Sequence, residues 1–128
     1  MTSAVKMVST NTAAKPLGHY SQAIIHEHTV YVAMQLGIVP DQENIVAGTI
    51  EEQTTQALKN VEAILIAAGS DISKILKVTV YITDIDLWGK VNAIYAEILA
   101  NHKPARAVVS IKELHFGFQV AFDVIAAC

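Results

Sequence analysis

A chain of 128 residues, 52% apolar and only 16% charged, has material for one real core and little charge to cover its surface. The usual charged fraction is roughly 25%, so an oligomer that buries part of that surface is expected. The net charge of −3 and scattered cations set nucleic acid aside as a partner, and no apolar run nears the ~20 residues of a membrane helix. The single cysteine, Cys128, cannot pair within the chain and has no second cysteine at metal-ligand spacing. It suits a reducing compartment, and "MTSAVKMVST" lacks the apolar segment of a signal peptide. A protein of the cytoplasm (cytoplasmic), or of an organelle matrix, is expected, as one domain over residues 1–128.

Residues 4–9, "AVKMVS", read as a short first strand, and "NTAAKPLGHY" as a loop punctuated by Pro16 and Gly18. "YSQAIIHE" and "TVYVAMQL" read as two strands with a hairpin turn at "HEH", and "VPDQENIVAG" as the next loop. Thr49-Ile-Glu-Glu52 fits a capping box that opens a helix. Leu58, Val61, Leu65 and Ala68 recur at helical spacing, and Gly69 suits the position just past its end. In "ILKVTVYIT", Val78, Val80 and Ile82 alternate with Thr79, Tyr81 and Thr83, which predicts a strand. Asp86 is read as the N-cap of a second helix, with Val91, Ile94, Tyr95, Ile98 and Leu99 as its apolar stripe. "ARAVVSI" and "FQVAFDVIAA" complete a β-β-β-α-β-α-β-β order. Right-handed crossovers put both helices on one face of a single sheet. The other face then needs a cover, which copies of the same α+β subunit can supply.

No phosphate loop, dinucleotide fingerprint or nucleophile elbow is present, and nothing in the sequence asks for a cofactor. His26 and His28 share a strand face, but no third ligand is near in sequence, so a solvated turn is preferred to a metal site. Arg106 stands at the mouth of an apolar run, where its fork can grip a carboxylate through two parallel bonds. An arginine snorkelling to solvent from a strand end is the competing reading. Tyr20 can offer a phenol to a pocket or simply pack with a wet hydroxyl. Asp123, the one acid in "FQVAFDVIAA", must be paired, hydrogen-bonded or neutral, and structural pairing is preferred to catalysis. Trp88 and Tyr95 read as packing residues, and Glu51, Glu52 and Glu97 as solvated or capping charges.

Four segments in order carry a family resemblance: "PLGHYSQAI", "QTTQALKNVEAILIAAGS", "ILKVTVYITDIDLWGKVNAIYAEIL" and "PARAVV". They resemble the RidA family, also called YjgF or the reactive-intermediate deaminase family, over nearly the whole chain. The resemblance implies a chorismate-mutase-like, ferredoxin-like subunit. It also implies a homotrimer whose sheets line a central barrel, with ligand sites at the subunit interfaces. Active members hydrolyse enamines and imines such as 2-iminobutanoate or 2-iminopropanoate to the 2-oxo acid and ammonia. On that likeness Arg106 holds a small carboxylate, Tyr20 is the pocket tyrosine, and Met34, Gln35 and Val108 line the ligand site.

The chain also departs from the pattern. His19 replaces a proline, and Ala33-Met34-Gln35 stands where the family has Ser-Gly-Gln. Met34 narrows a place where glycine lets a ligand approach the backbone. Val108 replaces a cysteine, and Ala121 replaces the glutamate that positions water. Asp123 lies two residues further on, hence on the same strand face as Ala121. Two functions stand open. In one, the protein is a deaminase in which Arg106 anchors, Tyr20 shapes the pocket and Asp123 or a backbone group orients water. In the other, a noncatalytic binding or interaction trimer keeps the carboxylate clamp without turnover. The acidic balance argues against a ribonuclease.

Overall fold

Eight elements follow in the expected order in the computed structural model, which describes residues 4–128. They are β1 (Val5–Val8), β2 (Ala23–His26), β3 (Thr29–Gln35), α1 (Ile50–Ala67), β4 (Ile75–Ile82), α2 (Trp88–Leu99), β5 (Ala105–Ser110) and β6 (Val120–Ala127). They form one six-stranded mixed sheet in the order β1-β2-β3-β6-β4-β5. The last strand therefore sits inside the sheet, antiparallel to β3 on one side and to β4 on the other. Only β4 and β5 pair in parallel, and α2 makes the crossover between them. The fold is α+β.

Local chemistry accounts for the element ends. The Thr49 side chain accepts from the Glu52 amide at 3.1 Å, and Glu52 Oε1 accepts from the Thr49 amide at 2.9 Å, a complete capping box. Those bonds, the backbone one foremost, hold the Glu52 carboxyl below its usual value. At the other end Gly69 takes φ +80°, and the Gly69 and Ser70 amides donate to Ile66 and Leu65. That is a Schellman closure, which glycine enters without steric cost. In the β2–β3 hairpin, Glu27 adopts φ 55°, a conformation more usual for glycine or asparagine.

The second helix starts later than expected. Asp84, not Asp86, caps the segment: its carboxylate accepts from the Asp86 amide at 2.9 Å and opens a 3-10 turn at Ile85–Leu87. Asp86 is spent as the donor, and α2 begins at Trp88 without a side-chain cap. Strands expected to start at Tyr20 and Phe118 begin at Ala23 and Val120. The flanking glutamines are diverted: Gln22 bonds the Thr10–Ala14 loop, and the Gln119 amide donates to Gln53 Oε1 at 2.8 Å.

Both helices lie on one face of the sheet. Val30 and Val32 of β3, Val78, Val80 and Ile82 of β4, and Val120, Phe122 and Val124 of β6 pack beneath Leu58, Val61, Ile64, Leu65 and Val91. Burying a side chain such as Phe122 contributes about 1.5–3 kcal/mol. The opposite face has no helix over it and carries Tyr31, Ile125, Thr79, Tyr81, Ala121 and Asp123 at the alternate positions. There the Tyr81 hydroxyl donates to Asp123 Oδ2 at 2.8 Å. The structural pairing expected of Asp123 thus has a partner, one strand away and 42 residues apart in sequence.

Two outcomes follow from this packing. A Cβ on Gly37 would lie 2.5 Å from the Gln53 carbonyl oxygen and 2.8 Å from its Cα, both backbone atoms of α1. Gly37→Ala is expected to destabilise by about 1–3 kcal/mol in urea unfolding. Gly89→Ala in α2, whose new Cβ would meet nothing within 4 Å beyond its chain neighbours and its own helix backbone, is expected to be neutral or to stabilise by up to ~1 kcal/mol. The second outcome concerns alkaline pH. The bond to Asp123, then burial and the Asp123 charge, raise the Tyr81 phenol above its ordinary 10.0. A group raised on folding stabilises fully below its unfolded value, and that contribution is lost as pH climbs through the folded value. Wild type should therefore lose more stability than Tyr81→Phe as pH rises above ~10, read from melting temperatures in parallel.

Candidate functional site

The residues singled out from sequence fall in three places. The first is a cavity of about 460 Å³ beside the start of β2 and the end of β3. Tyr20, Met34 and Gln35 all line it, joined by Leu17, Ala33, Leu36, Ile38, His115 and Phe116. Buried glutamine and asparagine side chains hold its walls. Gln22 donates to the Thr10 and Ala14 carbonyls at 3.0 and 2.9 Å and accepts from the Thr10 amide at 2.7 Å. Those bonds fold the loop that brings Ala14 and Lys15 to the rim. Asn60 of α1, fully buried, donates to Leu36 and Ile38 carbonyls at 3.2 and 2.8 Å and pins the opposite wall. The ladder between β3 and β6 slips between Val32 and Gln35, so Met34 leaves the regular alternation and turns to the cavity.

Tyr20 is half-exposed, and its hydroxyl accepts from the Leu17 amide at 3.3 Å. Gln35 is buried and donates to the Ala33 carbonyl at 3.1 Å. Phe116 takes φ 60°, ψ 20°, and Gly117 follows at φ 75°. A left-handed conformation is uncommon for a bulky residue, and strain of this kind collects at functional sites. Sequence reading missed His115 and Phe116, because neither belongs to a periodic element. Only the adjacent Gly117 hinted at an unusual turn.

The second place is Arg106, on the edge strand β5, on the helix-covered side. Its guanidinium carbon lies 4.8 Å from the Trp88 ring centre and 4.9 Å from that of Tyr95. Nη1 donates to Asn92 Oδ1 at 2.9 Å. Trp88 and Tyr95 do pack, as expected, and what they pack on includes the cation itself. Asn92 was not singled out. Its signal is the spacing Trp88, Asn92, Tyr95, which places all three on one face of α2. Tyr95 also stacks on Phe122, with centroids 6.4 Å apart. Its hydroxyl is buried without a hydrogen-bond partner among the described residues. Burial raises its phenol, against the pull of the Arg106 charge. Arg106 itself has no carboxylate partner among the described residues, where the one ion pair is His26–Glu27 at 3.9 Å.

Val108, two residues on, shares the helix-covered side with Arg106 and packs against the core, apart from the cavity. The third place is the bare sheet face, with Asp123 on Tyr81 and Ala121 fully buried. Within one chain, Asp123 and Arg106 lie on opposite sides of the sheet, and neither lines the Tyr20 cavity. His26 and His28 are exposed at the hairpin, and no group of three or more metal-binding side chains occurs among the described residues. Among those residues no helix is long and apolar enough to cross a membrane.

Comparison with known proteins covers the same span. The sequence profile of the family described as Endoribonuclease L-PSP matches residues 10–128. The 2-iminobutanoate/2-iminopropanoate deaminase of Rattus norvegicus is 39% identical over 121 residues, which are 94% of this chain and 88% of that protein. The structure of YyfA from Yersinia pestis, of the Rid protein family, superposes with a TM-score of 0.93 at 39% identity, covering 98% of this chain and 100% of the other. That of E. coli TdcF with bound serine superposes with a TM-score of 0.90 at 28% identity, covering 96% and 98%. The chain belongs to the Endoribonuclease L-PSP family, the family of the RidA and YjgF proteins.

Proposed function

We propose that the protein binds small 2-imino and 2-oxo carboxylates and hydrolyses the imines to 2-oxo acid and ammonia. The observation that carries this reading is Arg106: a cation fixed between two rings and an amide, with no carboxylate of its own among the described residues. Its remaining donors are oriented and free to grip an anion. The rat relative is named for this hydrolysis, and the E. coli neighbour was solved with serine, which carries the same carboxylate.

The reading includes a homotrimer around a barrel of sheets. It gives the uncovered sheet face a partner, and Val5, Met7, Tyr31 and Val109 are apolar side chains left open on the strands. It also gives the site its second half. Arg106 is on the edge strand, with two strands between it and β3, where the Tyr20 cavity lies. A neighbouring copy that meets that edge would set the clamp of one chain against the cavity of the next. No cofactor or resident metal enters the reaction as proposed, and no nucleic acid or membrane is a partner. A second reading, binding without turnover, is favoured by Ala121: the place of the family's glutamate is a methyl group, 0% exposed.

The test uses an amino-acid oxidase to generate the imine, with semicarbazide as competing trap. Wild type is expected to accelerate imine decay, and Arg106→Ala to lower kcat/KM by roughly 10–10²-fold, the equivalent of one charge-assisted hydrogen bond of about 1.5–3 kcal/mol. Asn92→Ala should give a smaller loss. Acceleration that survives Arg106→Ala would overturn the clamp. No acceleration, with thermal shifts on adding 2-oxobutanoate, would establish the second reading. Mixed trimers of Arg106→Ala with a cavity-blocked Ala33→Trp chain should regain activity if the site is shared between copies. They should stay inert if each chain holds a whole site.

A further inference from the structure

We infer that His115, on the wall of the Tyr20 cavity, is the proton-transfer residue of this site and takes over the role of the missing glutamate. The inference rests on the deaminase reading above and adds a residue that neither the sequence pattern nor the family likeness supplied. Imine hydrolysis needs a group that takes a proton from water and returns one to nitrogen. The Tyr20 cavity has no carboxylate on its wall, and its titratable side chains are Lys15, Tyr20 and His115. An ammonium and a phenol ordinarily hold their protons near neutrality, whereas imidazole both takes and gives one there.

The placement supports the role. His115 is exposed at the cavity, and its ring makes no hydrogen bond among the described residues, so both nitrogens are open to water and ligand. It opens the 3-10 turn His115–Gly117, whose next two residues are left-handed. Phe116 is held at φ 60° in that turn, and both His115 and Phe116 line the cavity. The Phe116 and Met34 side chains supply an apolar wall beside it.

The chemistry balances with water alone. The imidazole removes a proton as the water oxygen bonds to the imine carbon, and the C=N π pair moves to nitrogen. That proton, now on the imidazole, passes to the nitrogen. The imidazole next carries the hydroxyl proton of the carbinolamine to its amino nitrogen, and the C–N bond breaks as C=O forms, so that ammonia leaves with the electron pair of that bond.

The experiment measures decay of the imine made from L-methionine by an amino-acid oxidase, across pH 5–9, for wild type, His115→Gln and His115→Ala. Melting temperature and oligomeric size are recorded for each. His115→Gln is expected to lower kcat about 10²-fold with KM little changed and to remove the neutral-range limb from the pH profile. Added imidazole should restore part of the rate to His115→Ala, a recovery that a merely structural histidine would not give. An active wild type with kcat and pH limb unchanged in His115→Gln overturns the role of His115 and leaves the deaminase reading standing. An inactive wild type overturns both.

Discussion

Every feature of the site depends on the last strand entering the middle of the sheet. β6 hydrogen-bonds on both edges, to β3 and to β4, and its even-numbered residues Val120, Phe122, Val124 and Ala126 lie fully or almost fully buried against the helices. Until it is in place, β3 and β4 have no common partner, and the two halves of the chain have little to join them. A strand that pairs twice and is buried on one face cannot carry many charges, because each would need a partner in the sheet. That constraint makes Asp123 informative. It survives because it lies on the uncovered face with the Tyr81 hydroxyl 2.8 Å away.

The same constraint separates the functional groups. Putting β6 and β4 between β3 and β5 carries Arg106 to the far edge from the Tyr20 cavity. Edge strands are where a chain can meet other chains, which is why the proposed clamp is placed against a neighbouring copy. The apolar composition, the open sheet face and the separation of Arg106 from the Tyr20 cavity are then three aspects of one arrangement. The chain buries one side of its sheet with its own helices and leaves the other side open, and on the proposed reading a neighbouring copy covers that side and completes the site.

Elements with local causes were legible. The capping box at Thr49, the glycine after α1 and the period-two run of β4 each need only neighbouring residues, and each is where the sequence puts it. What depended on distant groups was not. Asp84 outcompetes Asp86 because the competing amides belong to a 3-10 turn that periodicity does not reveal. Gln22 and Gln119 shorten their strands because their partners, Thr10, Ala14 and Gln53, lie elsewhere in the chain. In the site, Arg106 stood out as a charge before an apolar run, and Tyr20, Met34 and Gln35 came from motif position. Asn92, His115 and the Tyr81 partner of Asp123 required the folded chain.

The clamp shows what the fold adds to a recognisable arginine. On a strand end, a free guanidinium would sample many rotamers, and fixing them on binding would cost up to about 2 kcal/mol. Here the Trp88 and Tyr95 rings and the Asn92 amide hold it before any ligand arrives. Tyr95 is itself held, stacked on Phe122 of β6. The orientation of the cation is thus tied through one aromatic contact to the central strand, so the packing that closes the core also orients Arg106. On the proposed reading, a carboxylate that docks would meet a charge already in position, its ordering cost met during folding.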